Sequence, residues 1–593
     1  MKGIPSQLPN SYDYRGVWII KKSKKIKLRN EEYLQIIKEL NKDKYKGGII
    51  EFPLSEKNHL KLNTSNGTFL IKKEFYESFN RTKKEENFHY TEQPSITFSF
   101  FSSIFDSRWK DMPYPPSILH LGSKTSKSQI PTKLSVLDLE ISSIPQNNDK
   151  IWGFTLFDDL IPKALNYLRE LRNTYKGIIG IGGPFPTLSP IPAIVHFDFI
   201  NFLYRGEAEE EISPLLKFIV NIDKNSPPLI FHKTSEFEGF FYNKDNYFIL
   251  SNIERTNKLS TIDLIEIDFS LIENGMLKRG LELNLSRGCP RSCIFCSHVH
   301  GRNFRIISSQ KLDLLLKKHK KIIEKEKIKE SSAFFININD DDILLADKKI
   351  KEITGTIKKN NYKIYGFQTS VSSFVQKNEE IKEYLIKIIR DKSLYVSSPL
   401  LWLGTDAFLE KRRKRLGKQK ISTKSFEKIV NLFEKNEILN YHYWIILDRD
   451  STWDEFFEEF FILWDLVKKF KLFEILPTSS YLIPYPYTSA FLKAKKENFK
   501  GLILRGILKS KINEKYNYPL VKMEKPEDEA LTEAFNPEKN FKIIENIRKK
   551  NFLPAFQELY FIFKKSNYYN SLNEKSRREK ILKLEDSVSM FLD

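Results

Sequence analysis

The sequence predicts an α/β protein: a flavodoxin-like (Rossmann-type) doubly wound domain, then a partial (β/α)6 barrel, then a small helical C-terminal region. Three observations carry this expectation. From about residue 94, short apolar runs alternate with amphipathic stretches, the pattern of parallel strands joined by crossover helices. A second, six-fold alternation of the same kind begins at Leu281. All three cysteines of the 593-residue chain fall in Cys289-Pro290-Arg291-Ser292-Cys293-Ile294-Phe295-Cys296, directly after the first strand of that second series. By chance this spacing would arise on the order of twice in 10^5 sequences of the same length.

Taken in order, residues 1–92 show no clear period and end in the charged stretch Arg81-Thr82-Lys83-Lys84-Glu85-Glu86-Asn87, so they receive no assignment. Residues 93–220 form the first domain. Its strands are expected at Ser95 to Phe101, Lys133 to Leu139, Ile151 to Leu156, Gly177 to Ile181 and Phe199 to Tyr204. Ile161, Leu165, Leu168 and Leu171 recur at helical spacing and mark one crossover. Ligands of such a sheet bind beyond the carboxyl ends of its strands. Two loops there are unusual. Gly182-Gly183-Pro184-Phe185-Pro186-Thr187 follows a strand, and paired glycines let a backbone come close to a ligand. Arg205-Gly206-Glu207 follows the next strand, and the acidic residues after it equally suit a helix N-terminus on dipole grounds.

Residues 221–279 read as a connector with a hairpin over Gly239 to Leu250. Residues 280–494 carry the six repeats, with strands expected at Leu281 to Leu285, Ala333 to Ile338, Lys363 to Thr369, Leu400 to Leu403, His442 to Ile446 and Leu472 to Leu476. In such a barrel the chemistry sits on loops at the C-terminal ends of strands. Residues 495–593 read as a basic accessory region, helical from Phe541 onward.

Composition narrows the class. The chain is too long for one core, and its length predicts roughly two to four domains. The N-terminal residues hold no secretory signal, and the long uncharged runs at Gly177 to Phe197 and Ile475 to Leu492 are broken by prolines. The expectation is a cytoplasmic protein with no membrane partner. An odd, tightly bunched set of cysteines argues against disulfides and for reduced thiolates as metal ligands. A net charge of +21 raises the question of nucleic acid, and the densest basic run is Lys411-Arg412-Arg413-Lys414-Arg415. Most basic runs, however, alternate with glutamate or apolar residues as on a solvated helix face, so nucleic acid is the less favoured partner.

Thiolates select zinc or iron–sulfur clusters. A structural zinc needs four ligands, which would enlist His298 or His300 beside the cysteines, in a zinc-stabilised nucleic-acid-binding protein. A cubane held by only three cysteines keeps one iron open for an exogenous ligand. Three thiolates from one tight loop favour the cluster, since zinc knuckles usually pair CxxC with a distant second half.

The loop Cys289-x-x-x-Cys293-x-Phe295-Cys296 resembles that of the radical S-adenosylmethionine (SAM) enzymes. The lead-in Ser286-Arg287-Gly288-Cys289-Pro290, with the Gly182-Gly183-Pro184-x-Pro186-Thr187 and Arg205-Gly206-Glu207 loops, is similar to the subgroup with an N-terminal cobalamin-binding domain. The likeness spans roughly residues 94 to 490. It implies a 4Fe-4S cluster on Cys289, Cys293 and Cys296, whose open iron chelates SAM and passes one electron into the sulfonium, releasing a 5′-deoxyadenosyl radical. It further implies SAM contacts from Phe295, from Asp340, Asp341 and Asp342 after the second barrel strand, and from Gly404, Thr405 and Asp406 after the fourth. Cobalamin would lie against Gly182, Gly183, Pro184, Thr187, Arg205, Gly206 and Glu207. One departure stands out: the loop Ser102-Ser103-Ile104-Phe105-Asp106-Ser107-Arg108-Trp109 lacks the Asp-x-His-x-x-Gly signature that supplies a histidine to cobalt.

The resulting expectation is a cobalamin-dependent radical SAM enzyme that methylates an unactivated centre, fed by a one-electron donor of flavodoxin or ferredoxin type and acting on an unknown substrate. Ring formation or rearrangement with the same parts is the alternative. Relatives with auxiliary clusters are disfavoured, because no cysteine remains to hold a second one.

Overall fold

The structure is a computed structural model that describes residues 94–220, 259–496 and 526–592 with short interruptions, and the backbone of several strands outside them. The chain divides into two compact units, Met1–Leu277 with Gly506–Leu520, and Lys278–Arg505 with Val521–Asp593.

In the first unit, β1 (Ile96–Ser102), β2 (Thr132–Asp138), β3 (Ile151–Thr155), β4 (Ile178–Gly182) and β5 (Phe202–Tyr204) are parallel and lie in the order β2-β1-β3-β4-β5. This is the doubly wound order with its reversal between β1 and β3. β3 is buried at every position, so it reads as a continuous apolar run rather than an alternation. β6 (Leu229–Lys233) extends the parallel sheet, and β7 (Glu236–Tyr242) with β8 (Tyr247–Leu250) adds the hairpin expected over Gly239 to Leu250. The short strand Trp18–Ile19 pairs with β8. Helix Ile161–Thr174 turns Ala164, Leu165, Leu168 and Leu171 inward, as its spacing predicts.

In the second unit, β9 (Leu281–Leu283), β10 (Phe335–Ile338), β11 (Lys363–Ser370), β12 (Leu400–Asp406), β13 (Leu439–Leu447) and β14 (Phe473–Tyr481) are all parallel and neighbour one another in chain order. A helix lies in each connection. One face of the sheet is apolar: Leu281, Leu283, Ile336, Ile338, Ile364, Leu401 and Leu403 are buried. The alternate positions are Glu282, Asn337, Gln368, Trp402, Tyr441, Tyr443 and Glu474, polar or aromatic and, apart from Glu282, half-buried or exposed. Strand alternation separates the two sets.

Residues 526–592 do not hold a core of their own. Helix Trp453–Lys469, between β13 and β14, shares one aromatic core with Glu529–Ala534, Phe541–Arg548, Phe552–Lys564 and Glu574–Leu592. Phe460 meets Phe552 at 5.2 Å, Phe457 meets Phe563 at 5.4 Å and Trp464 stacks on Phe591 at 4.7 Å. The expected separation at residue 495 is therefore replaced by a continuation of the second unit, because the helix before β14 is apolar on more than the face its sheet can cover. Among the described residues no helix is long and apolar enough to cross a membrane.

Candidate functional site: a three-thiol loop held by carboxylates

The cysteine loop leaves β9 through the two-residue strand Ser286–Arg287 and returns through Arg305–Ile306, which pairs with it. Gly288 lies at φ 87°, and a Cβ there would meet the Asn303 carbonyl at 2.2 Å, so no other residue fits. Within the loop, Cys289 N–H donates to Gly301 O at 3.1 Å and Cys296 N–H to Cys293 O at 3.2 Å. The three thiols are free and half-buried. Burial pushes all three up, Cys296 to about 11, and Cys293 and Cys289 are among the charges that raise Cys296 further. Loading such thiols with metal expels their protons.

The three carboxylates after β10 staple this loop. Asp340 is buried; its Oδ1 accepts Leu285 N–H and its Oδ2 accepts the Ser286 hydroxyl, both at 2.7 Å. Burial raises its pKa to about 7. Asp341 accepts Gly288 N–H at 2.9 Å. Asp342 takes Arg291 at 3.3 Å, together with the hydroxyls of Thr369 and Ser373. Expected from the resemblance as SAM contacts, all three bond to, or through Arg291 hold, the segment that carries the cysteines.

A second clamp comes from the turn after β12. Ile294 N–H donates to Leu416 O at 3.0 Å, and Gly417, at φ 71°, lies so close that a Cβ would meet Ser292 O at 2.5 Å. Lys418 follows. Its ammonium pairs with Asp406, donates to Gly404 O at 3.2 Å and lies 5.8 Å from the centre of the Phe295 ring. Burial alone would lower its pKa, but Asp406 and Cys293 more than reverse that and hold it charged. Phe295 is half-buried against the cluster of Ala407, Leu416, Ile445, Leu482 and Ala490. Its packing is thus shared between core and Lys418.

Thr405, also expected from the resemblance at the SAM site, turns its side chain elsewhere. It points into the core, where its hydroxyl bonds His442 Nδ1 at 2.7 Å, and His442 Nε2 bonds Asn440 at 2.8 Å. Burial drops His442 to about 3, so it stays neutral. Strand alternation decides this: Gly404 and Asp406 flank Thr405 and turn away from it.

The basic run 411–415, the densest in the sequence, is largely internal. Arg412 is buried among Asp448, Glu459 and the Ile445 carbonyl, and Arg413 donates to the carbonyls of Ala407, Phe408 and Ile421. Arg415 forks onto Asp448 and Glu455. Lys411 and Lys414 alone in the run are exposed, and Lys411 pairs with Glu458 at 3.0 Å.

In the first unit, the two loops singled out by their glycines follow the adjacent strands β4 and β5 and bond to each other. Gly206 N–H donates to Thr187 Oγ1 at 3.1 Å, and the fully buried Arg205 donates to Thr187 O at 3.3 and 3.1 Å. Glu207 accepts Leu259 N–H at 2.6 Å. Thr187, Arg205 and Glu207 are thus internal ties. Gly182, Gly183, Pro184 and Gly206 remain half-exposed at the carboxyl edge of the sheet, with Gly183 and Gly206 at φ 95° and 89°. The loop from Ser103 to Trp109 lies outside the described residues.

These sites fit the groups implied by the sequence in different degrees. Among the described residues, no three His, Cys, Asp or Glu side chains converge as ligands of one metal ion. Zinc would draw its sulfurs to within about 4 Å of one another. A cubane makes no such demand, because each thiolate takes a different iron. The carboxyl edge of the first unit offers backbone rather than side chains to a flat ligand.

Comparison with solved structures bears on the same point. The structure of the cobalamin-dependent S-adenosylmethionine radical enzyme OxsB with aqua-cobalamin and S-adenosylmethionine bound aligns over 90% of this chain and 78% of its own, at TM-score 0.58 and 14% identity. The fold is that of the cobalamin-dependent radical SAM enzymes. The radical S-adenosylmethionine methyltransferase TsrM from Kitasatospora setae, with tryptophan substrate and a SAM analog bound, aligns over 79% of this chain and 89% of its own, at TM-score 0.51 and 12% identity. No protein-family model and no curated protein sequence matches the chain. Lys418, Arg291 and Gly417 belong to the site in this radical SAM fold and had no sequence signal: Lys418 is one of 97 basic residues and lies 125 positions from Cys293.

Proposed function

We propose that the chain is a cobalamin-dependent radical SAM enzyme that transfers a methyl group to an unactivated centre. The observation that carries this reading is the free three-thiol loop at the carboxyl end of the first strand of a six-stranded parallel sheet, tied down by Asp340, Asp341 and Asp342. Cys289, Cys293 and Cys296 would hold a 4Fe-4S cluster, and the backbone at Gly182, Gly183, Pro184 and Gly206 would face cobalamin. When bound, these groups supply one-electron cleavage of the SAM sulfonium and carriage of a methyl group. The chain's own residues hold and shield. Asp341 and the Arg291–Asp342 pair fix the loop before and between the cysteines, and Lys418 keeps a positive charge beside Cys293 and Phe295, where the anionic end of SAM would gain most from it. The second unit is read as a partial barrel of six strand–helix repeats, with residues 280–494 as its extent. A flavodoxin- or ferredoxin-type donor in the cytoplasm would supply the electron.

The test is anaerobic reconstitution with iron, sulfide and hydroxocobalamin. About four irons per chain with matching sulfide, and 5′-deoxyadenosine from SAM lost in Cys293→Ala, are the expected results. Stoichiometric zinc without sulfide would overturn the reading. S-adenosylhomocysteine formed alongside 5′-deoxyadenosine supports methylation, whereas 5′-deoxyadenosine alone assigns ring formation or rearrangement.

A further inference from the structure

Glu282 is a buried carboxyl with no part in the site described so far. It sits in the middle of β9, 2% exposed, with its side chain on the face of the sheet opposite the buried Leu281 and Leu283. Oε1 accepts Asn339 Nδ2 at 2.7 Å. Oε2 is buried and has no hydrogen-bond partner among the described residues. An unpaired buried carboxyl oxygen is costly, and persists where something else satisfies it. Burial raises the pKa of Glu282 to about 7, so near neutrality it is present in both forms.

Its neighbours on that face form a floor. Asn337 on β10 stands directly beside Glu282, and next in the row is Gly366 on β11. Gly366 has no side chain because the Trp402 indole lies there: a Cβ would meet its Cζ3 at 2.0 Å. The register between β10 and β11 slips one residue at this point, which sets Gly366 beside Asn337. Trp402 is half-buried and meets the exposed Tyr365 at 6.4 Å. A carboxyl oxygen, an amide and an indole face therefore follow in sequence across two strand spacings, roughly 10 Å. That matches the length of a fused bicyclic ring with one polar substituent.

We propose that this face binds the substrate as a planar molecule carrying an O–H or N–H donor, Glu282 Oε2 taking the donor and the Trp402 indole stacking on the ring. The assignment rests on the enzyme reading above for the word substrate, and on Glu282, Gly366 and Trp402 alone for the binding site.

The probe is 6-hydroxyquinoline, with 6-methoxyquinoline as the same ring lacking the donor, and binding is followed by ligand-observed NMR on the full-length chain, both metal-free and reconstituted with SAM. The wild type is expected to prefer the hydroxyl probe about tenfold, the loss of one hydrogen bond to a buried carboxyl. Glu282→Leu should remove the preference by weakening the hydroxyl probe alone. Glu282→Gln, which keeps an acceptor oxygen, should retain part of it. Trp402→Ala should weaken both probes at least fivefold, and the affinity for SAM should not change in any variant. No preference in the wild type, a preference that survives Glu282→Leu, or a parallel loss of SAM affinity would each overturn the assignment. Failure of the enzyme reading shows separately, as absent iron and sulfide in the wild type, whatever the probes do on the metal-free chain.

Discussion

Replacing Lys418 by Met should loosen the cysteine loop through a charge stranded more than a hundred residues away from it in sequence. The Lys418 and Asp406 side chains are about a tenth exposed, 9% and 12%, and pair directly. Opposite charges near 4 Å at an effective dielectric of 20 attract by about 4 kcal/mol. Removing one partner of a buried pair costs about 3–5 kcal/mol, because the other charge is left uncompensated. The same turn carries the Ile294 N–H bond to Leu416 O, so the loss is felt at the loop. Hydrogen exchange of the metal-free chain reads it locally, without requiring the two units to unfold together. Amides of residues 292–296 and 413–418 should exchange about 150-fold faster in Lys418→Met, equivalent to ~3 kcal/mol at 1.4 kcal/mol per tenfold. Adding Asp406→Asn should restore protection to within about tenfold of wild type, the coupling expected of residues in contact. Protection within threefold of wild type in the single variant would refute the claim that this pair holds the loop.

Four further expectations rest on the same geometry. Thr405→Val should leave SAM affinity within about twofold while destabilising the second unit by about 1–2 kcal/mol, since it orphans His442 Nδ1; a large loss of SAM binding would return Thr405 to the cofactor site. Glu282 has a folded pKa near 7 against an ordinary 4.5, so the folded state holds the proton longer and stability falls as pH rises through that window. Denaturation midpoints at pH 5 and pH 7.5 should diverge less in Glu282→Gln than in wild type, and equal divergence would contradict the buried position. Arg412→Met should destabilise by about 3–5 kcal/mol by stranding Glu459, Asp448 keeping Arg415, whereas Lys411→Ala with Lys414→Ala should leave affinity for single-stranded RNA and its salt dependence unchanged. A salt slope that drops by about two in the lysine variant would reinstate a nucleic-acid surface.

The strands were legible because parallel strands buried on one or both faces leave apolar runs that need no partner to be recognised: β1 to β5 and β9 to β14 all fall within a few residues of expectation. The cysteines were legible because their ligand spacing is local. What the sequence could not separate was a charged side chain that meets a ligand from one that meets the protein. Asp340, Asp341 and Asp342 follow a strand where cofactor contacts are expected, but their partners, Leu285, Ser286, Gly288 and Arg291, lie more than fifty positions upstream. Arg205 and Glu207 look like loop residues and are ties. Arg412 and Arg415 read as part of a dense basic patch because their acids, Asp448, Glu455 and Glu459, come more than thirty positions later. Trp402 and Gly366 show the reverse difficulty: each is ordinary in its own strand, and only the pairing of β11 with β12 brings one over the other.

The aromatic core shared by helix Trp453–Lys469 and the last helices has a consequence for how the protein is made. Lys468 bonds the carbonyl of Phe591, 123 residues later. At about 5–20 residues per second, a ribosome takes roughly 6–25 s to cover that interval. Phe461 and Trp464 wait that long for the Phe591 ring, whereas Phe460 and Phe457 meet Phe552 and Phe563 earlier. A stop codon in the last helix would leave Phe461 and Trp464 without Phe591, the last-made ring of a core whose other aromatic contacts are already in place.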